Sequence, residues 1–195
     1  MWLKNGINIP FFTADGPTAY MLEAGNIDGA AIGLDSGGSE ADFEKAKKRN
    51  PNMPAFSSET YPGWLTHWGE KWARPDTAGL KKEVEFLLKS KRSLNFYVIH
   101  GGTNFGFTAG ANAFIPTQYQ PDITSYDYDA PINEQGKPTA KYFMLRNLIK
   151  QYVDFKIPEI PEAIKCIEIP DIRMWQTSSI WQALPVPVHS PQPVP

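Results

Sequence analysis

Cysteine is nearly absent from this chain. Cys166 stands alone among 195 residues. It can form no internal disulfide, and no Cys/His spacing suits a structural zinc site. Net charge is also small, at −2. That gives no electrostatic reason to expect a nucleic acid or an anionic membrane surface as partner. No apolar run approaches the roughly 18 residues of a membrane helix. The opening MWLKNGINIPFF has no basic region and no apolar core of proper length, so it does not read as a signal peptide. Phosphate-cradling loops are missing too. GGTNFG (101–106) lacks the glycine spacing and the Lys-Ser/Thr that such a loop needs, and reads as a tight turn.

Aromatic residues are plentiful instead, with 6 Trp, 8 Tyr and 11 Phe, many of them in loop-like segments. The densest group follows a short apolar run. In MPAFSSETYPGWLTHWGE (53–70), Glu59 lies among Tyr61, Trp64, His67 and Trp68. A carboxylate among rings is costly unless it is paired or used. Rings stack on the C–H face of a pyranose, and a carboxylate can act on its anomeric carbon. The same residues also suit a hydrogen-bonded Glu under a structural aromatic cluster, and both readings stay open at this level.

The chain alternates strand and helix. Apolar runs at 9–15, 28–35, 53–59 and 94–100 read as strands. Helices are expected at 18–24, closed by Gly25 as a left-handed cap, at 39–49, at 77–91 and at 139–154. Leu80, Val84, Leu87 and Leu88 recur at helical spacing in the third of these. Each strand reads as a continuous apolar run, which argues an α/β fold with a parallel sheet covered on both faces. Asp15, Asp35, Glu59 and His100 follow the four strands, at the rim where parallel βα barrels carry their sites. Four βα units are half of an eight-unit barrel. Prolines 158, 161 and 170 change the texture after residue 155. Residues 156–195 read as a Pro-rich linker and the beginning of a β-sandwich-like domain.

Three motifs then carry a resemblance. SETYPGWLTHWGE (58–70), NFYVIHGGTNFGFTAGAN (95–112) and TSYDYDAPINEQGKPTAKYFMLR (124–146), with FFTADGP (11–17), together resemble glycoside hydrolase family 35, the retaining β-galactosidases. The resemblance is nearest to the bacterial multidomain type and spans most of residues 9–150. It implies a (β/α)8 catalytic barrel followed by β-sandwich domains, with residues 1–155 as the C-terminal half of the barrel. It implies Glu59 as nucleophile, Trp64 as the ring under the galactose, and Tyr97, Tyr128 and Tyr61 as pocket walls. The substrate class would be a β-galactoside, with no cofactor and no metal. Family members are often secreted, periplasmic or lysosomal. One part of the pattern is lacking: the acid/base segment of the type Asn-Glu-Tyr-Gly does not occur. A retaining mechanism needs two carboxyls about 5–5.5 Å apart, so the missing N-terminal half of the barrel would have to supply the second.

Two other readings compete with this one. A metal-dependent hydrolase would gather Asp15, Asp35, Glu59, His67 and His100 at one rim. A non-catalytic sugar-binding fragment would use Trp64, Trp68 and the tyrosines alone. Asp127 and Asp129, on either side of Tyr128, are expected to brace their long loop, and Arg74 and Arg146 to act as surface or bracing cations.

Overall fold

The computed structural model describes residues 3–114, 118–187 and 189. After a turn of 3-10 helix at Leu3–Asn5, strands β1 (Phe12–Asp15), β2 (Ala31–Asp35), β3 (Ala55–Thr60) and β4 (Leu94–Phe96) form one sheet in the order β1-β2-β3-β4. All three pairings are parallel. Helices α1 (Ala19–Gly25), α2 (Glu40–Arg49) and α3 (Thr77–Lys89) make the crossovers, and α4 (Ala140–Ile149) follows the last strand at a distance.

Polar side chains start α1, α2 and α3 by taking up free backbone amides at their N-termini, whereas Thr139 makes no such bond at the start of α4. Thr18 Oγ1 accepts from Met21 N at 3.2 Å. The Ser39 amide donates to the Asp42 carboxylate at 3.2 Å. Asp76 accepts from Ala78 N and Gly79 N, both at 2.9 Å. Gly25 closes no left-handed cap. The helix runs through it to Asn26, whose φ is −76°. A glycine stands there for a different reason: a Cβ would lie 1.7 Å from Asp15 Oδ1.

All the helices gather on one face of the sheet, not two. Leu22 of α1, Phe43 and Ala46 of α2 and Leu87 of α3 form one core with Ile32 and Leu34 of β2. Helix α4 extends it, packing Leu145 and Leu148 on Leu80 and Val84 of α3. The opposite face carries Gly33, Phe56 and Phe12, and Phe12 is 54% exposed. The two-sided reading failed because Ala31 and Gly33 count as apolar while offering little to bury. The large side chains Ile32 and Leu34 in fact alternate with them.

The fourth strand is also shorter than its apolar run. It ends at Phe96 and not at His100. Its partner β3 stops at Thr60, whose carbonyl accepts from Tyr97 N at 2.9 Å. Beyond that point Val98, Ile99 and His100 have no β3 backbone to pair with. Ile99 is met instead by Ile132 N. The long loop after it contains an unforeseen antiparallel hairpin, β5 (Ala111–Phe114) with β6 (Gln118–Pro121). Helices α3 and α4 stop at Lys89 and Ile149, earlier than the spacing suggested. Among the described residues from 156 onward no strand forms, and a turn at 180–182 is the one local feature. The expected β-domain has no element among them.

Candidate active site

Glu59 lies in the last turn of extended chain of β3 and is the register partner of Asp35 at the end of β2. A shift in register just before Asp35 brings the two acids level. Neighbouring parallel strands lie about 4.8 Å apart, so two carboxylates are held side by side. Tyr61, two residues past Glu59, reaches back between them. Its hydroxyl donates to Asp35 Oδ1 at 2.7 Å and lies against Glu59 Oε2. Burial raises the Tyr61 phenol above its ordinary pKa, and the bonds to Glu59 and Asp35 add to the rise. The phenol therefore stays a donor through the physiological range.

Rings close in around this group. Tyr61 meets Trp64 edge-on at 5.3 Å between centroids and Tyr97 at 5.9 Å. Tyr128 lies 6.2 Å from Trp64 and 6.0 Å from Tyr97, and Tyr126 stacks on Tyr128 at 5.3 Å. Tyr128 is buried, whereas Trp64 and Tyr97 keep 46% and 40% of their surface. Burial, then the neighbouring Tyr126 and Tyr97, raise the Tyr128 phenol as well, with the Glu59 and Asp35 charges as smaller causes. The structure thus brings Glu59, Tyr61, Trp64, Tyr97 and Tyr128 into one cluster, with Trp64 and Tyr97 partly exposed.

The cluster depends on two loops held together at their bases. Trp64 N donates to the Tyr128 carbonyl at 3.0 Å. Gly63 allows that approach, since a Cβ there would lie 1.6 Å from the same oxygen. Tyr128 and Asp129 are both left-handed, at φ 64° and 50°. Such residues need outside support. Lys141, in the first turn of α4, gives it: its buried ammonium donates to Pro62 O at 2.6 Å, Asp129 O at 2.7 Å and Asp129 Oδ2 at 2.6 Å. Arg74 pairs with the other Asp129 oxygen. Asp127 accepts from Glu134 N at 2.9 Å. Both aspartates brace the loop, and Arg146 holds the Pro158 carbonyl.

The five residues of the metal reading are not gathered at one point. Asp15 is tied to Thr13 Oγ1 at 2.5 Å. His67 lies between Glu70 and Asn112, 2.9 Å from each, and His100 pairs through its backbone with Ile132. Among the described residues no three His, Cys, Asp or Glu side chains group closely enough to hold an ion. Trp68 is 78% exposed and contacts Pro121 through its amide, away from the Tyr61 bridge.

Sequence reasoning did not pair Asp35 with Glu59: both end neighbouring strands, but the register shift after Leu34 that brings them level leaves no mark in the sequence. It also passed over Tyr126 and Lys141. Nothing in a lysine's place on a helix announces that it is buried.

The family described as Glycosyl hydrolases family 35 matches residues 2–152. A "Beta-galactosidase" of Xanthomonas manihotis is 35% identical over 201 residues, covering 100% of this chain and 33% of that protein. A "Beta-galactosidase" of Felis catus is 40% identical over 157 residues, covering 79% of this chain and 23% of its own length. "Beta-galactosidase 17" of Arabidopsis thaliana is 38% identical over 185 residues, covering 90% of this chain and 26% of its own. The chain thus spans a third or less of the length of these relatives.

Proposed function

The chain belongs to glycosyl hydrolases family 35, and from that premise we propose that it carries the nucleophile side of a retaining β-galactosidase site. Glu59 attacks the anomeric carbon of a terminal, non-reducing β-D-galactosyl residue and forms a covalent glycosyl ester, which water then opens. Trp64 offers its open face to the sugar's C–H surface. Tyr97, Tyr128 and Tyr61 wall the pocket. The leaving oxygen takes its proton from a second carboxyl that the recognisable motifs here do not include.

In the same reading, residues 1–155 are the last four βα units of a (β/α)8 barrel. The preceding units pair with the free edges of β1 and β4 and bring the second carboxyl to Glu59. Residues 156–195 lead into a β-sandwich-like domain. The observation that carries the proposal is the half-buried Glu59, held through Tyr61 to Asp35 and ringed by Trp64, Tyr97 and Tyr128 at a strand end.

The test is complementation. The chain is co-expressed with the segment of the Xanthomonas manihotis relative that precedes the matched region, and hydrolysis of a chromogenic β-galactoside is followed. Glu59→Gln is expected to lower kcat by about 10³-fold or more while the melting curve is kept. The first sugar released, read by proton NMR, is expected to be the β anomer. Near-native turnover in E59Q overturns the nucleophile assignment, and the α anomer overturns retention.

A further inference from the structure

Asp35 has no part in the reaction as described so far, yet it is the register partner of Glu59 and shares its donor. A phenol has one proton to give. Two carboxylates lie within reach of it, so it serves one of them at a time. Asp35 Oδ1 is otherwise met by the Ser36 hydroxyl at 3.2 Å, and the Trp64 and Tyr97 rings meet the Tyr61 ring edge-on. Resting on the assignment of Glu59 as nucleophile, we infer that Asp35 is a positioning residue acting through Tyr61: it is the second acceptor to which the Tyr61 hydroxyl turns when Glu59 gives its electron pair to the sugar.

The reason is differential binding. A hydrogen bond to a carboxylate is strongest while the full charge is present. As Glu59 bonds to the anomeric carbon, that charge drains away and the bond from Tyr61 weakens. A contact stronger in the ground state than in the transition state slows the step. Asp35 removes that cost, because the hydroxyl rotates to an acceptor that keeps its charge. When water opens the ester, Glu59 departs as a carboxylate and Tyr61 turns back to support it. The proton stays on Tyr61 throughout and only changes partner. Bonds are made and broken at the anomeric carbon, while the second carboxyl of the pair gives its proton to the leaving oxygen and takes one back from the attacking water.

The chain is labelled with 13C at the hydroxyl-bearing carbon of tyrosine, and Tyr61→Phe assigns the Tyr61 signal. In Asp35→Ala and in Glu59→Ala singly, that signal is expected to stay near its wild-type position, because the remaining carboxylate accepts the hydrogen bond. In the double variant it is expected to move to the position of an exposed tyrosine. A full move in E59A alone overturns the inference, since Asp35 would then not be accepting. Asp35→Val and Glu59→Leu, which fill the space without an acceptor, repeat the comparison if an alanine variant fails to fold. In the complemented enzyme, D35N is expected to lower kcat about tenfold with Tyr61 present and less than twofold in the Y61F background. Equal losses in the two backgrounds overturn the action through Tyr61. Turnover surviving in E59Q removes the nucleophile assignment alone, and the NMR result stands apart from it.

Discussion

A carboxylate in this protein is expensive or useful according to what stands beside it. Asp129 meets two cations and Asp35 a phenol. Glu83 has neither. One of its oxygens is buried without a hydrogen-bond partner among the described residues, and burial first, then the Asp42 charge, raise its pKa. With the folded-state value above the unfolded one, the folded chain is favoured at low pH. That advantage is lost as pH rises through the folded value. Glu83→Gln is therefore expected to stabilise the chain at pH 7.5 by about 1 kcal/mol, and to have little effect near pH 4. Denaturant unfolding at both pH values measures it, and equal effects at the two would show that ionisation is not the cause. Lys141 presents the opposite case, as a buried charge with all three protons used. Lys141→Met is expected to cost about 3–5 kcal/mol, because it leaves the Pro62 and Asp129 carbonyls and one Asp129 carboxylate oxygen without their donor. Arg74→Ala, at a side chain 64% exposed, is expected to cost no more than about 1 kcal/mol.

At the scale of the element, β3 and the two loops that follow β3 and β4 form one working unit. β3 delivers Glu59, the first loop delivers Tyr61 and Trp64, and the second returns with Tyr128 on its left-handed turn. Gly63 is the contact point. Gly63→Ala would drive a methyl into the Tyr128 carbonyl, and the loops must separate to admit it. The near-UV circular dichroism of the aromatic cluster is expected to fall sharply, while the far-UV helix signal of α3 and α4 persists. If both signals are unchanged, the close approach of the two loops is wrong. The helices were legible because Leu80, Val84 and Leu87 declare a face. The hairpin β5–β6 was not, because ANAF and QYQP carry no alternation of large apolar residues.

For the whole molecule, the open edge of the sheet is the dominant feature. Strand β1 has β2 on one side only. Near it Ile9, Phe12 and Tyr20 are 67%, 54% and 81% exposed. An unpaired edge beside apolar surface recruits other chains. The isolated chain is expected to sediment as associated species, and co-expression with the complementing segment is expected to yield one discrete complex. A monodisperse, cooperatively melting monomer would count against an open half barrel.

Local pattern was enough for the order of strands and helices, the parallel sheet and the family, because these follow from side-chain periodicity and from contiguous motifs. Glu59, Tyr61 and Trp64 could be picked out together since one short segment holds them. Which face the helices cover, where β4 ends and which acid shares the Tyr61 proton were decided by the tertiary structure. Each depends on what a neighbouring strand offers at the same height, and residues 24 or more apart in the chain meet there only after the sheet has set its register.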